Sequence, residues 1–566
     1  MMARSMILLV SLAFFSMGSI PESNDNDARL RDLVGQYGQA EVTVPYSDIK
    51  SIDDLTRRVS ILSVRDKLIH ISLSPLTVEW FILQKFNYSI KESAENKGII
   101  SSKSMNQAME WDKYPTYPQY DSIMQSFVRL YPSLCHLDTI GTSIKGKLIL
   151  ALKISDNAAK DEDEPEVFYS SSMHGDEIGG FVLMLRLADY LLKNYNINSR
   201  VKNLVDNLEI WINPLSNPDG TYRTGNTITS PTRFNSNGVD LNRNFPDPFQ
   251  PLEKQEKENI EMISFMRKHR FVLSANFHTG SELVNYPWDR WLSKIHADDD
   301  WFYDISRAYA DTVHLYSGTG YMTELNNGIT RGALWYVIYG GRQDFITWEL
   351  HGREVTIELD DQTITPESQL PLLWQYNWHS LIGYLENALY GIHGIVLDSS
   401  SSLPVQAKVF IAGHDKDSSQ VYSDKLTGSF YRFLSPGSWN LIFTAPGYNY
   451  LTVNNIKVVA GENTDVIVRM TPAIDSVFTR IKETPVLYPN PATTYLKAAL
   501  PERIIGSVDI SIFSLSGMLI LNYKTEVFKE VPVQINIKGL PAGVYAVVFT
   551  NTVTKLTCSS RLIVIK

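Results

Sequence analysis

Phe168-Tyr-Ser-Ser-Ser-Met-His-Gly-Asp-Glu177 is the stretch on which the fold turns. Its first half reads as a strand, and the following Phe181–Tyr195 reads as a helix filled mostly with apolar residues. A strand that passes straight into a helix is half of a crossover unit, and such units build sheets covered by helices on both faces. His174 and Glu177 stand three apart on the turn between them. There an imidazole and a carboxylate can converge on one ion, and Gly175 lets the turn be tight. Alone the spacing is a weak signal, because Asp176 or Glu177 could simply cap the helix.

The same pattern recurs outward from that turn. Leu208–Pro214 reads as a strand, and the amphipathic helix Glu253–Arg270 feeds the strand Phe271–Phe277. Glu354–Leu359 is a further strand. Residues 106–390 therefore read as one α/β domain with a helix-covered sheet. His278 closes the strand that begins at Phe271, and strand ends are where open α/β sheets bind ligands. Two histidines and one glutamate leave a fourth zinc position open, the arrangement of a catalytic site. Glu358 is an acid inside an otherwise apolar strand. Burial beside a metal would tune it for general-base work, whereas an edge strand would leave it a surface acid. Asn242-Arg243, with Arg233 upstream, offers guanidinium groups that can grip a carboxylate two-pronged; in isolation these are ordinary surface arginines.

Composition narrows the field. The 566 residues carry 52 basic and 62 acidic side chains, a net charge of −10. That balance argues against nucleic-acid binding, which needs basic surface. With 44% apolar and 11% aromatic residues the chain can build several cores. Its two cysteines, Cys135 and Cys558, exclude a disulfide scaffold or a Cys-rich zinc site, so any metal falls to His and carboxylate. A charged start, an apolar run Met6–Met17 and the small residues Gly18-Ser19 read as a signal peptide over 1–19. No stretch reaches the roughly 20 apolar residues of a membrane-spanning helix. Export from a bacterial cell is the expectation.

Other parts follow in order. Residues 20–105 read as a small α/β module, with strands at Glu41–Val44 and Leu68–Ser72 and a helix opening at Pro75 and running through Leu83. Polar Lys91–Lys103 reads as a linker, and the module as a pro-segment or a permanent adapter. From about 391 to 471, short strands split by Gly, Pro and Ser read as a β-sandwich. Residues 472–484 link it to a second all-β domain over 485–566.

Taken together, the motifs resemble the zinc metallocarboxypeptidases of the carboxypeptidase A superfamily, in the branch of carboxypeptidases N, E and D. The motifs are His174-Gly-Asp-Glu177, Asn213-Pro, Asn217-Pro-Asp-Gly220, Arg233-Phe-Asn-Ser-Asn237, Asp240-Leu-Asn-Arg-Asn-Phe-Pro-Asp247, Ala275-Asn-Phe-His278, Asn285-Tyr-Pro-Trp-Asp289, Gly341-Arg-Gln-Asp-Phe345 and Val355-Thr-Ile-Glu358. The resemblance spans about residues 110–390. It implies a mixed-sheet catalytic domain with helices on both faces and one zinc ion held by His174, Glu177 and His278. It implies Glu358 as general base and acid for the attacking water, and Arg233 as the group that steadies the oxyanion. Asn242 and Arg243 look like the clamp for a C-terminal carboxylate. Tyr336, 22 residues before Glu358, has the spacing of the mobile tyrosine that caps substrate. Asp289, 11 residues after His278, and Gln343 match the side-chain pocket of the basic-specific branch. A carboxylate there pairs with Lys or Arg and rejects apolar side chains.

The segment Gly391–Met470 looks like the transthyretin-like domain that follows catalysis in this branch, through Thr427-Gly-Ser-Phe-Tyr431 and Ala445-Pro-Gly-Tyr448. The last domain resembles a type IX secretion C-terminal sorting domain, through Leu487-Tyr-Pro-Asn-Pro491, Phe513-Ser-Leu-Ser-Gly517 and Leu540-Pro-Ala-Gly-Val-Tyr545. Its implied partner is the secretion machinery of a Gram-negative bacterium, reached through the periplasm. The cargo would be secreted or held at the cell surface. The expected activity is hydrolysis of C-terminal peptide bonds with release of Lys or Arg. Peptidoglycan stem peptides are the alternative substrate, and an inactive binding protein on the same fold is the alternative function.

Overall fold

The computed structural model describes residues 23–91, 99–318, 320–473, 484–528 and 531–566. The expected signal peptide, residues 92–98 of the expected first linker and residues 474–483 of the second lie outside the described residues. The chain divides into two compact units. One runs to Ile395 and includes Lys408–Ile442 and Thr452–Ile467; the other comprises Val396–Ala407, Phe443–Leu451 and Val468–Lys566.

An eight-stranded mixed sheet organises the first unit. Its strand order is Ile329–Arg331, Ser281–Tyr286, Arg353–Asp360, Phe271–His278, Glu166–Ser171, Glu209–Asn213, Leu148–Ile154 and Cys135–Thr142. The strand Phe271–His278 runs parallel to both its neighbours, Arg353–Asp360 and Glu166–Ser171. Its alternation shows how the sheet is covered. Val167, Tyr169, Ile210 and Ile212 face one apolar cluster, built with the helices Tyr117–Leu130, Gly179–Asn194, Asp299–Ser317 and Leu370–Glu386. Phe168 and Trp211 face another, built with Met262, Ile263, Phe265 and Met266 of the helix Lys257–Lys268. Period-two side chains thus feed two cores, which is why the central strands read as continuous apolar runs. Every residue of Arg353–Asp360 is buried. Glu358 therefore lies in an interior strand, and the edge-strand reading of this acid does not apply.

Three local readings are refined. The helix Glu253–Arg270 is shorter, Lys257–Lys268. Pro75 does not open a helix: Ser74 O accepts from Thr77 N and Val78 N at 3.0 Å, so Pro75 lies in a turn and the helix runs Val78–Leu83. Gly175 has a negative φ, so left-handed freedom is not its purpose. A Cβ there would stand 2.4–2.6 Å from the backbone of Gly220 and Thr221. The motif turn and the turn at Asn217–Gly220 touch backbone to backbone, and Thr221 Oγ1 donates to Gly175 O at 2.7 Å.

Residues 23–91 form a four-stranded sheet in the order Ser60–Arg65, Leu68–Leu73, Ala40–Pro45, Ser89–Ile90, with the helix Ser23–Tyr37. Its core of Leu30, Val42, Val44, Ile61, Ile71 and Phe81 also takes in Tyr336 and Ile338 of the larger domain. Between 391 and 470 the chain forms a three-stranded and a four-stranded sheet. In the second unit, residues 486–566 form sheets of three and four strands around Leu496, Ile510, Ile512, Val547, Phe549 and Leu562. No described helix is long and apolar enough to cross a membrane.

Gly175→Ala should lower stability by about 1–3 kcal/mol through overpacking. A several-degree fall in Tm together with weaker metal retention is expected; an unchanged Tm would mean that the two turns can part without cost.

Candidate metal centre

His278 ends its strand, and Glu358 is its register partner on the neighbouring parallel strand. His174 lies just past the end of the next strand over, Glu166–Ser171. Three strand ends thus supply the site, as expected for this sheet architecture.

His174, Glu177 and His278 converge. His174 Nδ1 is 2.7 Å from Glu177 Oε1, His278 Nδ1 is 2.6 Å from Glu177 Oε2, and the two Nδ1 atoms are 3.1 Å apart. The outer ring nitrogens are already committed. His174 Nε2 faces Asp240 Oδ1 at 3.0 Å, and His278 Nε2 faces Asn276 Oδ1 at 2.5 Å. Both partners accept, so the N–H of each ring belongs on Nε2. That leaves two lone pairs and a carboxylate pointing at one another in a buried space. Such a donor set has no internal resolution without a cation and fits a divalent metal of the zinc class. By contrast, the cluster of Asp298, His414 and Asp415 is answered from within the protein, since Arg432 donates to Asp298 at 2.6 and 2.9 Å and Arg353 at 2.8 Å.

Arg233 Nη1 donates to Glu177 Oε1 at 2.9 Å, and its Nε donates to Asp240 Oδ2 at 3.0 Å. Asp240 also takes Asn242 N at 2.9 Å and Ser60 Oγ at 2.6 Å. Burial alone would raise the Asp240 carboxyl, but Arg233 and His174 hold it well below the usual carboxylate range. Glu358 is 8% exposed and its Oε2 has no hydrogen-bond partner. Burial and the charge of Glu177 push its carboxyl well up.

His174, Glu177, His278, Arg233, Asn242, Arg243, Asp289, Tyr336 and Glu358 line a single cavity. Arg243 donates through Nη1 to Asn242 O at 2.9 Å, while its Nε and Nη2 have no partner. Asp289 Oδ1 accepts from Asn285 Nδ2 and from Gln343 Nε2, both at 3.0 Å. Gln343 is not among the residues that line the cavity; it stands behind Asp289, and its Oε1 is buried without a partner. Burial pushes the Tyr336 hydroxyl up to about 12. The module of residues 23–91 supplies part of the wall, through Glu41, Ser63, Arg65, His70 and Lys91.

Sequence reasoning quoted Asp240 and Asn276 inside motifs but gave them no task. Asn276 had a readable signal, as a polar residue two before His278 and hence on the same face of an apolar strand. Ser60 had none, because only the tertiary fold brings it to Asp240.

Over residues 120–380 the chain matches the zinc carboxypeptidase family, and over residues 486–566 the secretion system C-terminal sorting domain. It is 32% identical over 380 residues to the mouse carboxypeptidase N catalytic chain, covering 59% of this chain and 82% of that one. The chain belongs to the zinc carboxypeptidase family. Mouse carboxypeptidase M is 32% identical over 349 residues, with 59% of this chain and 78% of that one covered. Human carboxypeptidase D is 35% identical over 354 residues, 60% of this chain; the match spans a quarter of that relative's length. Among solved structures, carboxypeptidase A from Helicoverpa armigera aligns with TM-score 0.49 and 17% identity, covering 62% of this chain and 97% of that one.

Asp240→Asn should weaken metal binding by roughly 10–100-fold, because the group that orients His174 loses its charge. Competition against a chromogenic chelator measures this; unchanged affinity would remove Asp240 from the support of the site.

Proposed function

We propose that the chain is an exported zinc carboxypeptidase that removes C-terminal Lys or Arg from peptides and proteins. The observation that carries the reading is one cavity holding three unlike recognition elements: a cation-seeking triad, an arginine with free donors, and a buried acid. Zinc held by His174, Glu177 and His278 would supply Lewis-acid polarisation of the scissile carbonyl and of the attacking water.

The protein's own groups do the rest. The free Nε and Nη2 of Arg243 suit a carboxylate held two-pronged, which fixes the chain end and makes the enzyme an exopeptidase. Asn242 stands beside it. Asp289, its Oδ1 saturated by two amides, leaves Oδ2 for the substrate, and Gln343 Oε1 is a second unused acceptor. Together they suit an ammonium or guanidinium. An apolar side chain would leave both acceptors unpaired. Glu358, with a free buried oxygen, takes the proton of the attacking water and returns it to the leaving amine. Arg233 steadies the charge that develops on the carbonyl oxygen. Tyr336 closes over the substrate.

The relatives' names, carboxypeptidases D, N and M, agree with this activity. The C-terminal sorting domain supports export and attachment at the cell surface, with residues 1–19 as the leader into the periplasm. Residues 391–471 serve as a transthyretin-like domain that supports the catalytic one.

Four outcomes test the reading. Among peptides ending in Lys, Arg, Ala and Phe, the first two should be cleaved fastest; faster cleavage of Phe would sink basic specificity. Burial pushes the Asp289 carboxyl up to about 6, so preference for basic over apolar C-termini in kcat/KM should grow as pH rises through that value and fade below it. A preference that does not change across that range would count against Asp289. Glu358→Gln should cut kcat by about 10²–10⁴-fold and leave zinc content intact; near-normal turnover would show that the base is elsewhere. Arg243→Ala should erase discrimination between free and amidated C-termini, and equal losses on both would contradict the clamp.

A further inference from the structure

The helix Arg342–Glu349 begins with three residues that between them tie down Asn242 and Asp289 of the cavity wall. Arg342 N donates to Asn242 Oδ1 at 3.0 Å. Gln343 Nε2 donates to Asp289 Oδ1 at 3.0 Å. Asp344 accepts from two successive backbone groups, Asp289 N at 3.0 Å and Arg290 N at 2.9 Å. Asp344 is only 6% exposed, and its place in the first helical turn would ordinarily set it to cap its own helix. It reaches across to another loop instead.

That loop is held on every side. The Asp289 carbonyl accepts from Ile338 N at 3.0 Å. Arg290 Nε donates to Asp247 Oδ2 at 2.6 Å. The Asp289 carboxylate lies against Gly332: a Cβ there would stand 1.7 Å from Oδ1, so Oδ1 occupies the space that a side chain at 332 would fill. Two N–H groups entering the Asp344 side chain fix the rotation of the 289–290 backbone from which the Asp289 side chain projects, and with Oδ1 taken by Asn285 and Gln343 the remaining oxygen is Oδ2.

We propose that Asp344 is a positioning residue for recognition of basic side chains: by binding both N–H groups of the 289–290 backbone it aims Asp289 Oδ2 into the cavity. This rests on the basic-specificity reading of Asp289. Asparagine at 344 has nearly the same volume but one acceptor, and its NH₂ would meet an N–H. One of the two bonds is lost and the 289–290 backbone is held less firmly in its rotation. Recognition of the cationic side chain suffers, while Arg243, Glu358 and the metal ligands stay where they are.

The test is Asp344→Asn on peptides ending in Arg, Lys and Ala, with zinc content measured alongside. KM for Arg and Lys peptides should rise about tenfold with kcat changed less than about twofold, and kcat/KM for the Ala peptide should hold within about twofold. In an Asp289→Asn background, Asp344→Asn should add nothing. Equal losses on Arg and Ala peptides, or an unchanged Arg-to-Ala ratio in a wild-type enzyme that does prefer Arg, would overturn the positioning role alone. A wild-type enzyme with no basic preference, unaffected by Asp289→Asn, would overturn the specificity reading beneath it. Should Asp344→Asn not fold, hydrogen exchange in the wild-type protein decides: slow exchange of the Asp289 and Arg290 amides is expected, and exchange at the rate of free loop amides overturns the proposal.

Discussion

Two imidazole nitrogens and a carboxylate, held within 2.6–3.1 Å of one another with no donor among them, form the constraint that the rest of the structure serves. Left alone, three such acceptors would repel or capture a proton. They are held together from behind. Asp240 grips His174, Asn276 grips His278, and Arg233 bridges Glu177 and Asp240. Asn276 is in turn held by Glu354 at 3.0 Å, which pairs with Arg342 at 2.9 Å in a fully buried ion pair. Burying that many charges is costly unless each is paired, and here each is. The sheet makes this possible because its parallel strands end side by side and leave their last residues facing one space.

From Arg342 the same network passes to the wall of the cavity where the proposed substrate pocket lies. Its backbone holds Asn242, and the next two residues hold Asp289 by side chain and by backbone. Support of the His–Glu–His cluster and of Asn242 and Asp289 therefore shares one helical turn. Loss of Arg342, which alone of the three reaches both sides, would be felt in both, and this separates the site from one assembled out of independent loops.

Much of this was legible. The strand–turn–helix around His174, the terminal position of His278 and the acid within Val355–Glu358 follow from periodicity and from the rule that strand ends carry ligands. The cysteine count left His and carboxylate as the donors for any metal. Other features were hidden for physical reasons. The purpose of Gly175 is its contact with the Gly220 turn, a long-range approach that no local pattern reveals. The helix Ser23–Tyr37 has few apolar positions, so its period is faint, and Leu30 and Val34 become core only against the module's sheet. The same holds for Glu41, Ser63, His70 and Lys91, which reach the cavity only through tertiary packing of the first module. Asp240, lying among motif residues, drew no attention because its partner is 66 residues away in sequence.

Metal analysis of the purified protein tests the central claim most directly. The account predicts one zinc per chain by mass spectrometry, with zinc-edge anomalous signal located between His174 Nδ1, His278 Nδ1 and Glu177. Protein that is folded and yet holds no stoichiometric divalent metal, or that carries its metal elsewhere, would contradict it.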